Sequence, residues 1–527
     1  MKSLKYIILL SALAFGIATQ IGCSDDFDEY NQDPFALTNE DLEADYRLVG
    51  EPFINIIRNI YVHTPAWITQ LQQNLLGDVY SGYLMPPTPF AGNSNNMNYN
   101  LVDGWNTWAW NPTYQNVLAT ALQVEGLAGE DFPEFLAWLK ILKVEAAHRT
   151  SDVFGPIIYT QFGQISEDGV IAYDCEPELF DAYFADLEAG ISGLDAFIAS
   201  GAASPFVAFD EVYGGDVASW VKFANTLRLR LAIRISKVAP ALAQQQAEKS
   251  FNHPLGLLSL NDENMTVKND VDHPMNTINS AWNDIRMGAP MESILVGYND
   301  PRLPAYFQPA LQEEVAGQYK GIRQGIEIAD KGTYVNYSAL QPLGNVQLMV
   351  SAESHFLQAE AALRGWSTGT TAQAAYEAGI RTSFEQYGIG GADTYIADDT
   401  STPIPYVDVN NANNSVEAGN SNLSQATIAW DEGADFETKL EKIITQKWIS
   451  MFPDGGEAWA EYRRTGYPKL FPVVINNSGG EVDTEEQIKR IRYISSEYAQ
   501  NPGGVASGTS CLGGNDSAGA PLWWDVD

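Results

Sequence analysis

Aromatic and amide side chains outside any helical pattern are the residues of this chain best suited to chemistry, and that chemistry is non-covalent binding. Aromatic rings stack on the apolar face of a ring-shaped ligand, and amides exchange hydrogen bonds with its polar groups. Two segments combine them: the Pro- and Asn-rich loop 85–103 with the residues just before it, and the segment 269–298. The candidate contact residues are Tyr83, Asn95, Asn96 and Tyr99, then Trp282, Asn279 and Asn283, and finally Trp67 near the start of an early helix. Trp282 is the best single candidate, and ordinary packing is the alternative for each residue.

The sequence contains no recognisable catalytic or cofactor motif. HExxH, GxSxG, Walker A and EF-hand patterns are absent, and the five histidines lack ligand spacing. We therefore predict no catalytic residue, no metal and no cofactor, and a structural role for His355. With 67 Asp and Glu residues, a glycosidase-like pair could arise by chance, and sequence cannot give its separation. Asp270 and Asp272 could hold a calcium ion, although a solvated loop is the simpler interpretation.

Composition excludes one class of partner. The net charge of −37 and the pI near 4.3 argue against nucleic acid, whose phosphates would be repelled. Besides Cys23 the chain has only Cys175 and Cys511, so at most one disulfide bridge is expected, and whether they pair stays open.

The N-terminal residues predict export and anchoring. Residues 1–22 combine early lysines with an apolar run that is too short to cross a bilayer, which is typical of a signal peptide. The position of Cys23 predicts lipidation, with simple secretion as the alternative because Gln20 stands where lipoprotein signals usually carry Leu. The acidic residues 24–29 cannot pack and suit a solvated tether. We expect a signal at 1–22, a lipidated tether at 23–50 and a single domain at 51–527.

The segment 351–388 predicts two helices joined by a tight turn. Gly365 suits a left-handed C-cap, and hydroxyl residues then supply an N-cap for the second helix. Such a hairpin cannot bury its apolar faces alone, so it predicts further pairs of the tetratricopeptide type. The apolar stripe of the first helix is Ala352, Phe356, Ala359 and Leu363, and that of the second is Tyr376, Ile380, Phe384 and Tyr387. The fold class is therefore mainly α, with helical hairpins packed against a loop-rich remainder.

Outside this hairpin, another helix is predicted from Trp220 to Val238, with Arg230 and Arg234 one turn apart beside its apolar face. A row of arginines could bind phosphate. In a chain with this surplus of carboxylates, pairing with the protein's own acidic groups is the preferred interpretation.

Several stretches resemble the SusD/RagB-like nutrient-binding outer-membrane lipoproteins, and in particular their second SusD-like subfamily. The matching stretches are DVFGPIIY at 152–159, WVKFANTLRLRLAIRIS at 220–236, DPRL at 300–303, ESHFLQAEAALRG at 353–365, QKW at 446–448, EAWAEYRRTGYP at 457–468 and RIRYISSEYAQN at 490–501. Ile158 and Ile494 replace prolines that are usual in the family. The resemblance covers nearly the whole mature chain.

The resemblance implies a SusD-like α-superhelix that is lipid-anchored in the outer membrane and faces the cell exterior. It also implies binding of a nutrient, preferably an oligosaccharide, and delivery to a SusC-like TonB-dependent transporter. The family has no shared ligand-contact motif, so the binding residues above come from residue chemistry alone.

Three alternatives stay open at this point. The first is a peptide-binding member of the same family, the second is a surface glycoside hydrolase, and the third is a helical-repeat scaffold that binds only protein.

Overall fold

The computed structural model describes residues 45–167, 169–268 and 272–526. The described residues from Gly50 onward form one compact unit, to which the described residues 45–49 do not belong. The predicted signal, Cys23 and the acidic residues 24–29 lie outside the described residues, and the boundary expected at residue 51 stays a prediction. Among the helices described, none has both the length and the apolar character needed to span a membrane.

Helices dominate the described residues. They are α1 (Arg47–Ile60), α2 (Ala66–Thr69), α3 (Gly77–Tyr80), α4 (Asp103–Pro112), α5 (Ala119–Ala128), α6 (Pro133–Phe154), α7 (Glu176–Ser200), α8 (Val217–Arg234), α9 (Pro240–Asn252), α10 (Pro274–Asn276), α11 (Ala289–Met291), α12 (Leu303–Tyr306), α13 (Ser351–Leu363), α14 (Ala372–Gln386), α15 (Ala392–Ile396), α16 (Phe436–Met451), α17 (Gly455–Thr465), α18 (Ser495–Gln500) and α19 (Pro502–Cys511).

The long helices form four consecutive pairs: α6 with α7, α8 with α9, α13 with α14, and α16 with α17. Successive pairs also contact each other, through α7 on α8, α8 on α13, and α13 on α16. Each pair thereby covers an apolar face that its neighbour would otherwise expose, which is the packing of tetratricopeptide-like repeats. The predicted fold class is confirmed.

The predicted hairpin at 351–388 is α13 and α14. Gly365 ends the first helix with a φ of 82°, and the Thr371 hydroxyl accepts a hydrogen bond from the Ala374 N–H at 3.1 Å to start the second. The two helices approach closely because Gly379 lies against the ring of Phe356. A Cβ atom at Gly379 would lie 2.7 Å from that ring. Local signals therefore determine this unit.

Several charged side chains are buried between the helical pairs. Arg230 donates two hydrogen bonds to Glu353, at 2.9 and 2.7 Å, and thus joins α8 to α13. Arg234 donates to Glu457 and Glu461, both at 2.6 Å, and joins α8 to α17. The expected pairing of the arginines with the chain's own carboxylates is confirmed, although they lie inside the protein and not along a helix edge. Removing one partner of such a pair typically costs about 3 to 5 kcal/mol, so the network fixes how the pairs stack.

The rest of the described chain is rich in loops and contains four short strands. They are β1 (Leu84–Met85), β2 (Met265–Val267), β3 (Arg286–Met287) and β4 (Val346–Met349), paired antiparallel as β1 with β3 and β2 with β4. Cys175, just before α7, forms a disulfide bond with Cys511 at the end of α19. The two cysteines whose pairing the sequence left open are therefore bonded. The β1–β3 pair joins the two segments from which most candidate binding residues were drawn.

Candidate ligand-binding surface

Trp67 is the most exposed of the predicted aromatic contacts. It lies in α2, a single helical turn that runs into a π-helical turn, and it is 42% exposed. Its ring meets that of Trp108, in α4, edge to face with centroids 4.7 Å apart. Trp108 is only partly exposed, so it supports Trp67 from one side and leaves the rest of that indole to solvent. Trp67 and Trp108 thus form a pair of contacting rings that are both accessible to solvent.

Two further aromatic rings, those of Trp105 and Phe90, extend this pair. Trp105 lies three residues before Trp108 in α4, so both side chains lie on one side of that helix. The ring of Trp105 packs edge to face against Phe90, with centroids 5.9 Å apart. Trp105 and Phe90 are also partly exposed. We call Trp67, Trp108, Trp105 and Phe90 the aromatic row.

Trp282 follows a segment that packs against the helix of Trp67. It follows a π-helical turn, Thr277–Ala281, and it is partly exposed. Both this turn and α10 before it pack against α2, the helix that carries Trp67. The Trp282 N–H donates to the Thr277 carbonyl oxygen at 3.1 Å, which fixes the backbone of Trp282.

Polar contacts tie Trp282 to the loop of Phe90. Lys331 Nζ donates to the Trp282 carbonyl oxygen at 2.6 Å and to Asp284 Oδ1 at 2.6 Å. Thr88, two residues before Phe90, donates its hydroxyl to the same carboxylate oxygen of Asp284. Charge-assisted hydrogen bonds of this kind hold side chains more firmly than neutral ones. The surface is therefore organised before any ligand arrives, which lowers the entropy cost of binding.

The structure places Tyr83 and Tyr99 in the core. The Tyr83 hydroxyl donates to the Trp448 carbonyl oxygen, and its ring packs on the Trp448 ring at 4.8 Å. Tyr99 packs against Tyr80 with centroids 6.3 Å apart. Burial raises the pKa of both phenols well above the usual value. The prediction that they stack on a ligand is corrected: both rings are already covered by the protein.

Asn95 and Asn96 shape the loop instead of facing solvent. Asn95 Oδ1 accepts from the Met97 N–H at 2.9 Å, and its Nδ2 donates to the Phe90 carbonyl oxygen at 2.7 Å. Asn96 Oδ1 accepts from the Val102 N–H at 2.9 Å, and both asparagines are buried. Neither amide is available to a ligand in this structure. Asn95 still serves the surface, because it anchors the backbone of Phe90.

The asparagines around Trp282 divide into two kinds. Asn279 is buried and exchanges two hydrogen bonds with the Leu340 backbone, at 3.0 and 3.2 Å, so its prediction as a contact residue is corrected as well. Asn283 is exposed, with a φ of 54°. Its Oδ1 accepts only a 3.4 Å hydrogen bond from Arg286, so its amide can still bind a ligand group.

In the sequence, the spacing of Trp105, Trp108, Trp110 and Tyr114 favours core packing over a binding role, and the structure bears this out for only two of them. Trp110 and Tyr114 are indeed buried, and their rings pack at 4.7 Å. A signal was available in helix geometry, at 100° per residue: Trp110 lies about 200° from Trp108. Trp105 and Trp108 therefore cannot share one face of α4 with Trp110.

The described histidines have structural partners. His148, buried between Glu145 and Asp152, lies 3.0 and 3.3 Å from their carboxylate oxygens, which raise its pKa although burial alone would lower it. His355 is 3.3 Å from the Ser259 carbonyl oxygen. Among the residues that the structure describes, no group of three or more His, Cys, Asp or Glu could hold a metal. Of the two aspartates that could hold a calcium ion, Asp272 is exposed and Asp270 lies outside the described ranges.

Comparison with known proteins supports the resemblance seen in the sequence. The family model described as Susd and RagB outer membrane lipoprotein matches residues 29–525. Among solved structures, a chitin-binding SusD homologue from Flavobacterium johnsoniae is 47% identical, with 91% of this chain and 99% of that chain covered and a TM-score of 0.87. A SusD homologue from Bacteroides vulgatus is 34% identical, with 92% and 99% coverage and a TM-score of 0.87. No curated protein matches. The chain thus belongs to the SusD-like family of outer membrane lipoproteins.

Proposed function

We propose that this protein is a surface-exposed nutrient-binding lipoprotein that captures an oligosaccharide on the aromatic row and Trp282. The observation that carries the proposal is the exposure of Trp67 in α2, where its ring meets that of Trp108 edge to face. Exposed indoles in a fixed orientation favour stacking on sugar rings, whose C–H faces are apolar. A core role would have buried the ring.

The extent of the surface favours an oligosaccharide over a single sugar. The aromatic row contains four rings, and Trp282 adds a fifth. A chain of several sugars could contact more than one ring at once, while a monosaccharide could cover only one. Asn283 and Lys331 are the polar groups next to Trp282 that could bind hydroxyl or acetamido groups.

Oligosaccharides of N-acetylglucosamine are the first ligands to test. A relative of 47% identity that spans almost the same length is described as chitin-binding. Because related binding surfaces often share ligand chemistry, this relative supports the choice of probe. The peptide-binding alternative is tested by the same experiment.

Delivery and anchoring complete the proposal. Proteins of the SusD family work with SusC-like transporters, and we propose that this chain hands its ligand to a TonB-dependent partner of that type. Lipidation of Cys23 would hold it at the outer face of the outer membrane. We propose that the protein binds the glycan without cleaving it. The buried carboxylates of Glu353, Glu457 and Glu360 pair with the protein's own arginines, so they are not free to act as catalytic acids or bases.

The binding step is tested by isothermal titration calorimetry with purified protein. The panel contains chitin oligosaccharides of increasing length, maltooligosaccharides and a neutral peptide. Affinity for one glycan series that rises with chain length supports the proposal, and product analysis should show the glycan intact. Binding of the peptide alone, or cleavage of the glycan, would contradict it.

A further inference from the structure

A groove of about 650 Å³ lies on the helical repeats, where α7, α8 and α9 meet. This volume falls within the range of small-molecule sites, roughly 300 to 1,000 Å³. The groove is built from different elements than the aromatic surface, and no aromatic side chain other than His253 lines it. Its polar lining includes Glu188, Arg228, Gln244, Gln245, Lys249 and Asn252.

Arg228 is the unusual member of this lining. Its side chain is only 4% exposed, yet its closest charged partner is a Glu188 oxygen at 3.3 Å. No hydrogen-bond partner of Arg228 Nε is found among the described residues. Arg230, two residues later, is equally buried but makes a two-point contact with Glu353, although its Nη1 also lacks a hydrogen-bond partner among the described residues. A guanidinium has five N–H donors, and burying them without acceptors is costly.

The two cations of the groove, Arg228 and Lys249, share one carboxylate, so a second anion could pair with them. A single Glu188 oxygen lies between two cations, 3.3 Å from Arg228 and 3.2 Å from Lys249 Nζ. The next carboxylate, Glu248, already accepts from the Gln244 amide at 2.8 Å and from the Ser367 N–H. Another ion pair at the groove, His253 with Asp195 at 2.9 Å, is complete in itself. Glu188 is half exposed, so it can move aside or share its partners.

We propose that this groove, the Arg228 groove, binds a ligand through a carboxylate that pairs with Arg228 and Lys249. A carboxylate matches the planar fork of a guanidinium in a two-point contact. The amides of Gln244, Gln245 and Asn252 would bind the neutral part of the ligand. Two sources share this chemistry: an acidic sugar in an oligosaccharide, and the free C-terminal carboxylate of a peptide.

The test compares acids with their neutral esters. The probes are a galacturonate trisaccharide, an acetylated tripeptide with a free C terminus, and the methyl ester of each, measured by ligand-observed NMR. At least one acid should bind at least fivefold more tightly than its ester, and added salt should weaken it. Binding of only one acid identifies the source. Equal binding of acid and ester, or no binding of either acid at millimolar concentration, would overturn the proposal.

Variants locate the binding. Arg228→Met should abolish the preference for the acid, Lys249→Met should reduce it, and Glu188→Gln should strengthen acid binding severalfold by removing the competing carboxylate. Lys140→Met, which breaks a pair with Asp186 on the same repeats, is the matched control and should change nothing. If Arg228→Met does not fold, Lys249→Met and Glu188→Gln decide: unchanged acid binding in both would refute the site.

The outcome is independent of the proposed glycan surface. Trp282→Ala should leave carboxylate binding unchanged, because Trp282 belongs to other elements. Loss of acid binding in Trp282→Ala would place the acid on the aromatic surface and contradict the Arg228 groove.

Discussion

Replacing Trp67 by alanine should weaken oligosaccharide binding about tenfold. A tryptophan side chain buries at most about 250 Å², so an exposed fraction of 42% leaves about 100 Å² for a ligand. At about 25 cal/mol per Å², complete coverage would contribute about 2.5 kcal/mol. A sugar covers one face of the ring, about half of that area, which gives about 1.3 kcal/mol and a tenfold change in Kd.

Trp67→Ala should also lower the stability of the protein. The part of the side chain that the protein covers, about 145 Å² at about 25 cal/mol per Å², contributes about 3.6 kcal/mol, and the edge-to-face contact with Trp108 adds about 0.5 to 1.5 kcal/mol. In a unit of this size that corresponds to a fall in Tm of several degrees. Calorimetric titration with a chitin hexasaccharide gives the Kd, and differential scanning calorimetry gives the Tm.

A matched control is Trp366→Ala, which removes a partly exposed indole from the turn between α13 and α14. It should leave the Kd unchanged. The reasoning is refuted if the folded fraction of Trp67→Ala keeps wild-type affinity.

Four further predictions concern the second aromatic contact, pH dependence, the anchor and the partner. Trp282→Ala should cost about 1 to 3 kcal/mol of binding, and Lys331→Met a smaller amount, since Lys331 holds the Trp282 backbone and offers the ligand at most one hydrogen bond; equal affinity in both variants would contradict this. Burial, assisted by nearby Asp454, raises the pKa of Asp78 to about 7 from a usual 3.8, so the folded state holds a proton that the unfolded chain releases. Stability should therefore fall as pH rises from about 4 to about 7, and in urea titrations Asp78→Asn should flatten this slope. Cys23→Ala should release the protein from the membrane fraction, and a variant that stays membrane-bound would exclude lipidation at this position. Mild detergent extraction and pull-down should recover a barrel-type transporter, and recovery of the chain alone in several detergents would count against that partner.

The helical pairs could be predicted because their determinants are local. The stripe ending at Leu363, the glycine at 365 and the N-cap at Thr371 all lie within one 38-residue stretch, 351–388, and each has its expected role. The sequence predicts that the arginines of α8 pair with carboxylates, but it does not predict which carboxylates they meet. That Arg230 meets Glu353, 123 residues away, depends on how distant repeats stack.

The binding surface was harder to predict because exposure is decided by long-range contacts. Tyr83 and Trp67 looked alike as candidates, yet Tyr83 is covered by Trp448, 365 residues along the chain. Asn279 is used by the Leu340 backbone, 61 residues away. No local pattern carries this information.

Some of the surface was nevertheless within reach of sequence reasoning. Asn95 caps a short turn through Met97, a local arrangement that its spacing to Asn98 could have suggested. The division of Trp105 and Trp108 from Trp110 follows from helix geometry alone.

The central claim is that an oligosaccharide lies on the aromatic row and Trp282. A crystal structure of the protein with a chitin hexasaccharide tests it most directly. We predict sugar rings stacked on Trp67 and Trp282, with Asn283 or Lys331 in hydrogen-bond contact with the ligand. Sugar density on another surface, with these indoles uncovered, would contradict the account.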